Sequence, residues 1–403
     1  MQSSDSIAGS ERALHGIRVL DFTIMVAGPY CSRLLADLGA DVVKIEPPEG
    51  DDMRLRQPLR EAADGTRHSS YLGQLNAGKR SLALDLKHPE AIALVKRMAA
   101  QADVVIENFR PGVMQRLGLG AAVLREINPR LIFCSVSGYG QSGPAAGRAA
   151  YAMLVQAASG YEGTLARYAG DRSRPAPTAT FVADVLGGIY AFGAIQTALV
   201  QRAHTGQGQA LDVALMDSML NLLIYEMQEA QFPVLGARPT YGPVATLDGD
   251  VLIAPITERN FQALATVTGL PQWKSDPRFA TLPQRAANWQ AMMQVLEPWT
   301  RARPKAEVLA KLESAGVPCA PYGETVGAFD DPQLQERGVF AQVHDAAGPF
   351  IGINAPWQMS AGGSAMGARV PEVGEHADEV LRDWLGMEPE AVRQLREQRA
   401  VGR

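Results

Sequence analysis

The chain has 403 residues, of which 46% are hydrophobic and 20% are charged, and its formal net charge is -5. This composition is typical of a globular protein with room for two domains, and a sequence without a Lys/Arg-rich block disfavours a nucleic-acid partner. Three cysteines without paired spacing and six scattered histidines predict neither a disulfide framework nor a metal site and favour a reducing cytoplasm, and the sequence indicates no signal peptide or membrane segment.

The first part of the chain alternates between strand and helix patterns. Residues 17–23 are β-rich, residues 31–38 have a helical apolar period, and residues 42–45 are β-rich again. The alternation continues with strands at 81–86, 104–108 and 131–136, a helix at 89–100 and a helical stretch to residue 117. Such repeats predict an α/β fold with a parallel sheet, which binds ligands beyond the carboxyl ends of its strands. The loops of interest therefore follow Thr23, Ile45, Asn108 and Val136.

One carboxylate, Asp184, opens a long apolar run at residues 185–200. We predict a buried helix that ends at the turn of Gly206 and Gly208, followed by a strand at 210–214. Asp184 would then lie in the first helical turn, where the helix dipole favours an ionised carboxylate. Most aspartates at this position cap backbone N–H groups, so position alone does not decide between a cap and a catalytic group.

The composition changes near residue 222, which predicts a second domain. Beyond it lie more tryptophans, short strand candidates at 245–256, and helices at 258–268 and 287–300. The strand and helix patterns of the first part of the chain return with strand candidates near Ile351 and a helix at 377–385. We therefore predict a large domain formed by residues 1–221 and 328–403, with a smaller α+β domain at 222–327 inserted between them.

The segment GYGQSG at residues 138–143 matches the dinucleotide fingerprint G-x-G-x-x-G. Glu162 follows at about the spacing of a ribose-binding acid. The fingerprint belongs after the first strand, however, and its third glycine should open a helix, whereas Pro144 and Gly147 interrupt here. The sequence therefore disfavours dinucleotide binding.

Cations and amides occur in three loops that we place at one edge of the predicted sheet. Lys79 and Arg80 stand in a turn before a strand, the segment 108–110 follows a strand, and Arg116 comes about two helical turns later. Arg and Lys in such loops suit phosphates, and Phe109 could pack against a heterocycle. The spacing thus favours a phosphorylated ligand at this edge.

Five segments together resemble the family III CoA transferases, and they occur in the order found in that family: VLDFTIMVAGPYCSRLLADLGADVVKIEPPEGDDMR, LNAGKRSLALDLKHPE, ADVVIENFRPGVMQRLGL, NPRLIFCSVSGYGQSGP and TGQGQALDVALMDSML. The family includes formyl-CoA, carnitine, bile-acid and dicarboxylate CoA transferases, and the 2-methylacyl-CoA racemases. The resemblance extends from Gly16 to about Leu385. It implies a Rossmann-like large domain built from both chain ends, a small inserted domain, and an interlocked homodimer.

The resemblance also implies a site. Asp184 matches the nucleophilic aspartate that forms a covalent aspartyl intermediate with an acyl-CoA, for which succinyl-CoA is a candidate donor. CoA and the acyl-CoA are then substrates, a small carboxylic acid is the other partner, and no tightly bound cofactor is implied. Backbone N–H groups of Val26 and Ala27 would lie near the thioester. The implied CoA site comprises Val26, Ala27, Leu75, Asn76, Ala77, Gly78, Lys79, Arg80, Asn108, Phe109, Arg110, Arg116, Ser137, Gly138 and Tyr139.

Departures from the family pattern help to distinguish between the transferases and the racemases of this family. The racemases have a His shortly before the position of Tyr151 and a Glu after the position of Tyr241, but this sequence has Arg-Ala-Ala before the first and Gly242 after the second. A lone aspartate cannot exchange protons on both faces of a carbon, so racemisation is the less favoured alternative. Ala152 follows Tyr151 where many transferases have an acid, and the Gly-rich lid of formyl-CoA transferase has no match. A non-catalytic or nicotinamide-dependent protein is the second alternative.

Overall fold

A computed structural model describes residues 12–170, 173–232 and 241–402. The strands are β1 (Arg18–Asp21), β2 (Asp41–Glu46), β3 (Leu59–Glu61), β4 (Arg67–Ser69), β5 (Arg80–Ala83), β6 (Val104–Glu107), β7 (Ile132–Ser137), β8 (Ala210–Ala214), β9 (Val244–Ala245), β10 (Asp250–Ile253), β11 (Cys319–Pro321), β12 (Phe340–Asp345) and β13 (Gly348–Ile353). Short 3₁₀ helices occupy Asp52–Leu55, Pro271–Ser275 and Thr325–Asp330.

The α-helices are α1 (Ala27–Asp37), α2 (Ser70–Asn76), α3 (Pro89–Ala99), α4 (Val113–Arg116), α5 (Ala121–Ile127), α6 (Ala152–Ala158), α7 (Tyr161–Tyr168), α8 (Val182–Thr205), α9 (Leu215–Leu222), α10 (Ile224–Gln231), α11 (Glu258–Val267), α12 (Leu282–Ala287), α13 (Trp289–Arg301), α14 (Lys305–Ser314), α15 (Pro332–Glu336), α16 (Ala377–Leu385) and α17 (Pro389–Glu397). The chain divides into two compact units. The first contains Met1–Gly163, Pro175–Ile224 and Pro332–Arg403, and the second contains Thr164–Arg174 and Tyr225–Asp331. The sequence pattern gives no indication that Thr164–Arg174 groups with the second unit.

The first unit is built on a six-stranded sheet with the order β5-β2-β1-β6-β7-β8. Every neighbouring pair is parallel, with Leu20 opposite Val43 on one side and Val105 on the other. The predicted α/β fold with a parallel sheet is therefore confirmed. The strand predicted at 210–214 and the helix predicted at 377–385 have the observed bounds.

Helices cover both faces of this sheet, which explains why its strands read as almost continuous apolar runs. Successive residues of β1 point to opposite faces. Leu20 joins a core formed with α3 and α16, where Val95 and Trp384 are buried. Val19 joins the opposite core, which includes Leu35 of α1 and Ile195 of α8.

Helix α8 begins at Val182 and ends at Thr205, and Gly206 caps it in the left-handed conformation (φ 72°). The predicted turn at Gly206 is thus confirmed, but the prediction of a buried helix holds for one face only. One face, formed by small residues and Ile195, is buried in the chain, whereas apolar side chains on the other face are exposed: Val185 (39%), Ile189 (43%), Tyr190 (43%) and Val200 (61%). By length and composition alone, α8 also meets the criterion for a membrane span, as core helices of water-soluble proteins can.

Close packing between α8 and α1 depends on a glycine. A Cβ atom added at Gly188 would lie 2.6 Å from the carbonyl oxygen of Ala27 and 3.1 Å from a ring carbon of Tyr30. Real Cβ atoms do not approach backbone oxygens so closely, so the two helices can meet here only without a side chain. This contact holds the N-terminal turn of α1 beside the N-terminal part of α8.

The second unit has its own antiparallel sheet in the order β11-β10-β9. The strand candidate at 245–256 is two strands, separated by a turn in which the Thr246 N–H donates to the carbonyl oxygen of Gly249. Helices around the sheet bury an aromatic core in which the Trp273 ring lies 6.2 Å from that of Phe261 and 5.6 Å from that of Phe279.

We predict that Gly188→Ala lowers the free energy of unfolding by about 1–3 kcal/mol, because the new methyl group overlaps α1. The matched control is Gly163→Ala in α7, another helical glycine where nothing lies within 4 Å of an added Cβ. That change should raise the free energy of unfolding by up to about 1 kcal/mol, because alanine is the better helix former. Urea denaturation of both variants measures the difference, and equal effects would contradict the close contact.

Candidate functional site

A cavity of about 330 Å³ lies at the carboxyl edge of the large sheet. Its lining comes from the loops after β1, β6 and β7 and from the N-terminal turn of α8, so the rule for parallel sheets predicts its place. Sequence-predicted site residues that line it are Ala27, Asn108, Phe109, Arg110, Ser137, Gly138 and Asp184.

Asp184 occupies the first turn of α8, as predicted. No described residue donates a hydrogen bond to its carboxylate or forms an ion pair with it, so it does not act as a side-chain cap. Burial raises its pKa from 3.8 to about 6, and no cation in the described chain offsets that shift. A carboxylate that is poorly hydrated, unpaired and open to a cavity is available for chemistry.

Tyr71 lies within electrostatic range of Asp184. Burial, together with the negative charge of Asp184, raises the pKa of Tyr71 to about 12, so its hydroxyl keeps its proton. The Tyr71 ring stacks on that of Phe181, the residue before α8, with centroids 6.5 Å apart. The sequence analysis missed Tyr71, because nothing in its local pattern indicates proximity to a residue more than a hundred positions away.

The loop between β1 and α1 is held by a buried polar cluster. The backbone N–H and the hydroxyl of Thr23 donate to Asp21, and Lys44 donates to the Thr23 carbonyl oxygen at 2.8 Å. The next residue, Ile24, exchanges two hydrogen bonds with the Asn108 side chain, at 2.8 and 2.7 Å. Side chains from β1, from β2 and from the residue after β6 thereby hold the backbone that leads into α1.

Helix α1 begins at this loop without a side-chain cap. Met25 adopts a left-handed conformation (φ 63°), which is uncommon for a residue with a side chain, and Val26 makes no side-chain capping bond. N–H groups in the first turn of a helix have no intrahelical acceptor, and Ala27 lines the cavity. The turn therefore presents donors and the positive end of a helix dipole to the space that Asp184 faces.

The prediction that Lys79 faces a ligand is wrong. Its side chain is fully buried, and its ammonium group donates to Asp21 Oδ2 at 2.9 Å, Ser32 Oγ at 2.8 Å and Asn76 Oδ1 at 2.8 Å, as well as to the Pro29 carbonyl oxygen. Burial lowers the pKa of Lys79 to about 8, although Asp21 opposes the shift. Its charge therefore pairs with Asp21 in the protein interior rather than with a ligand.

The other residues of the segment 75–80 also lie away from the cavities. Leu75, Asn76 and Ala77 are buried, and Arg80 bonds Asp41, the first residue of β2, and acids of α16. The reason is chain direction. This segment precedes β5, whereas ligands collect after the carboxyl ends of strands.

A second cavity, of about 560 Å³, lies where β5 ends. Residues 84–87 line one side and residues 45–52 line another. Among the described lining residues, Lys87 is the one cation and five are acids. It shares Ile24, Met25 and Phe109 with the first cavity, so the two adjoin. The sequence analysis missed Lys87, although the rule for carboxyl ends, applied to β5, points to it.

Three further predicted residues line neither cavity. Val26 is buried at the start of α1, Arg116 is exposed, and Tyr139 packs against the core that includes α1 and α8. Conversely, the first cavity includes Arg148 and Tyr151, which the sequence analysis considered only as the place where a racemase histidine is missing.

The glycine-rich segment 138–143 does not open a helix. The described chain continues as turns to α6, which begins at Ala152, and the Gln141 N–H donates to Asp212 of β8 at 2.8 Å. This geometry differs from a dinucleotide-binding turn, in which a helix begins at the third glycine. Among the described residues, no group of three or more His, Cys, Asp or Glu side chains could hold a metal ion.

Comparisons with known proteins agree over nearly the whole chain. The family model for CoA-transferase family III matches residues 14–377. A succinate–glutarate CoA-transferase of Agrobacterium fabrum is 36% identical over 385 residues, which cover 92% of this chain and 95% of that protein. The beta subunit of a succinyl-CoA–L-malate CoA-transferase of Chloroflexus aurantiacus is 33% identical, with coverage of 96% and 98%. The crystal structure of a CaiB/BaiF family protein from Brucella suis matches with a TM-score of 0.81 at 34% identity, with coverage of 93% and 100%.

We predict that Lys79→Met lowers the free energy of unfolding by about 3–5 kcal/mol, because it leaves the Asp21 carboxylate buried beside fewer partners. The matched control is Arg393→Met, which removes an exposed ion pair with Glu390. That change should alter stability by about 1 kcal/mol or less. Chemical denaturation of both variants gives the comparison. A Lys79→Met protein as stable as the control would contradict the buried role of Lys79.

Proposed function

Because this chain belongs to CoA-transferase family III, as its motifs predict, we propose that it moves CoA from an acyl-CoA to a free carboxylic acid through a covalent intermediate on Asp184. The observation that carries this proposal is the Asp184 carboxylate itself, which faces a cavity at the carboxyl edge of the sheet without a hydrogen-bond partner in the described chain. A nucleophile must be accessible and unpaired, and a cap or a structural ion pair would be neither.

In the proposed reaction, an Asp184 oxygen attacks the thioester carbonyl carbon and the C–S bond breaks, which gives a mixed anhydride and CoA thiolate. The thiolate then attacks the Asp184 acyl carbon, which releases the donor acid and leaves an aspartyl-CoA thioester. The acceptor carboxylate attacks that thioester and releases the thiolate again. Attack of the thiolate on the acceptor carbonyl completes the new acyl-CoA and frees Asp184. Each step exchanges one acyl bond, so no oxidant, reductant or net proton is needed.

The surroundings suit these steps. Negative charge develops on the carbonyl oxygen in each attack, and the first turn of α1 at Ala27 offers backbone donors for it. Tyr71 keeps its proton because its pKa is about 12, so it can donate a hydrogen bond close to Asp184. We propose that CoA extends across the two adjoining cavities, with its thioester near Asp184 and its nucleotide near Lys87.

The cavity favours transfer over racemisation. Racemisation needs a second acid or base on the opposite face of the α-carbon. Among the described residues that line this cavity, Asp184 is the one carboxylate and no histidine is present. Two arginines in the lining would not serve as bases, because the guanidinium group remains protonated.

The relatives suggest the class of acid. The Agrobacterium fabrum protein is named for succinate and glutarate, and the Chloroflexus aurantiacus protein for succinyl-CoA and malate. All of these are dicarboxylic acids or their CoA esters. We propose that this enzyme exchanges CoA between dicarboxylic acids, with succinyl-CoA as a donor.

We further propose that the enzyme works in the cytoplasm as an interlocked homodimer, with the large domain built from both chain ends. All three cysteines are free thiols in the structure, which suits a reducing compartment. The exposed apolar face of α8 supports self-association, because contiguous exposed apolar surface is typical of protein interfaces.

We predict that succinyl-CoA acylates Asp184, so that a quench with hydroxylamine leaves a hydroxamate on the peptide that contains this residue. Asp184→Asn should abolish the label and lower the rate of CoA transfer by at least about 1,000-fold, because the covalent route is lost. The control is Asp217→Asn, which changes an exposed aspartate in the first turn of another helix and should keep the label. A label that persists in Asp184→Asn would overturn the proposed nucleophile.

The pH dependence follows from the raised pKa of Asp184. The attacking form is the carboxylate, so the rate of acyl-enzyme formation should fall about tenfold per pH unit below pH 6 and level off above it. Single-turnover labelling from pH 4.5 to 8, followed by mass spectrometry, measures this profile. An inflection near pH 4, the value for a hydrated aspartate, would show that burial does not perturb Asp184.

A further inference from the structure

Two arginines line the cavity that contains Asp184, and they differ in position. Both arginines line the first cavity, and neither lines the second. Arg110 follows Phe109, a residue that lines both cavities, whereas Arg148 lies on the segment that leads to Tyr151. On this ground we place Arg110 toward the proposed CoA end and Arg148 toward the end that the acyl group would occupy.

No contact of the Arg148 side chain within the described chain indicates a structural role. Its guanidinium group forms no ion pair, hydrogen bond or ring contact with a described residue. It does not neutralise the nucleophile either, since burial alone accounts for the raised pKa of Asp184. The residue is exposed, so water satisfies its guanidinium group in the free protein, and a cation beside the Asp184 cavity that no protein group pairs is available to an anionic group on the ligand.

A second polar group in the cavity also lacks a partner. Ser137 ends β7, its side chain is buried, and its hydroxyl oxygen has no hydrogen-bond partner among the described residues. Buried hydroxyl groups normally find a partner, so an unpaired one that lines a cavity suggests that a ligand supplies it. Arg148 and Ser137 together offer a charged fork and a neutral donor.

We infer that Arg148 binds the remote carboxylate of a dicarboxylic substrate while its other carboxyl group, free or as the CoA thioester, reacts at Asp184. This inference rests on the proposed function and deepens it by naming the residue that selects dicarboxylic acids. The guanidinium fork matches a carboxylate in two parallel hydrogen bonds. A monocarboxylic acid of the same length would set a methyl group against that cation and leave it without a counter-charge.

The test compares succinyl-CoA with butyryl-CoA, whose acyl groups have the same chain length and differ in the remote carboxylate. The rate of Asp184 acylation is measured by single-turnover labelling and mass spectrometry. The wild-type protein should label faster with succinyl-CoA. Arg148→Gln should lower the succinyl-to-butyryl ratio of labelling rates by about 10- to 100-fold, the range expected for a lost charged hydrogen bond. Arg148→Lys keeps the charge without the planar guanidinium fork, so its ratio of labelling rates should lie between those of the wild type and Arg148→Gln.

Arg110→Gln is the matched control, since it removes the other arginine of the cavity and should slow both donors by a similar factor. A melting temperature equal to that of the wild type shows that Arg148→Gln is folded. An unchanged ratio in Arg148→Gln, with Asp184 still labelled, would overturn the inference and leave the proposed function standing. A wild-type protein in which neither donor labels Asp184 would overturn both.

Discussion

The ion pair between Asp21 and Lys79 is the interaction on which the site depends. Both side chains are fully buried, and the cations around Asp21 hold its pKa below the usual value despite the opposing effect of burial. Asp21 also accepts from Thr23, at the point where the first strand gives way to the loop that leads into α1. Buried charges are costly unless they are paired and hydrogen-bonded, so this cluster has essentially one arrangement. The loop between β1 and α1 is therefore held in one conformation. The backbone N–H groups at the start of α1 are thus in place before a substrate binds.

Two helices then bring the groups of the proposed reaction together. The start of α1 supplies backbone donors, and the first turn of α8 supplies Asp184. Gly188 lets the two helices touch, because any larger residue would overlap the carbonyl oxygen of Ala27. Preorganised donors aimed at the position of a developing charge stabilise the transition state without a reorganisation cost. A buried charge cluster and a helix contact thus set the geometry around Asp184, the proposed nucleophile.

Periodicity was sufficient to predict the parallel sheet, because its strands are covered on both faces and read as apolar runs. Motif order was sufficient to single out Asp184, and the structure leaves its carboxylate unpaired in a cavity. Lys79 shows where this reasoning fails. A lysine in a loop is usually solvated, and only the fold reveals that Asp21, Ser32 and Asn76 surround it. Tyr71 is the opposite case, a residue near Asp184 that was not predicted. Its proximity to Asp184 arises from tertiary packing that no local sequence pattern indicates.

Arg148 is exposed on the segment between β7 and α6, which contributes no residue to the cluster around Asp21 or to the contact between Gly188 and α1. With the role we infer for Arg148, substitutions in that segment alter which acids are accepted without moving the proposed nucleophile or the backbone donors. Such a separation makes the scaffold evolvable. New substrate ranges can arise by changing a surface loop, while selection keeps the reaction itself constant through the buried residues that hold it.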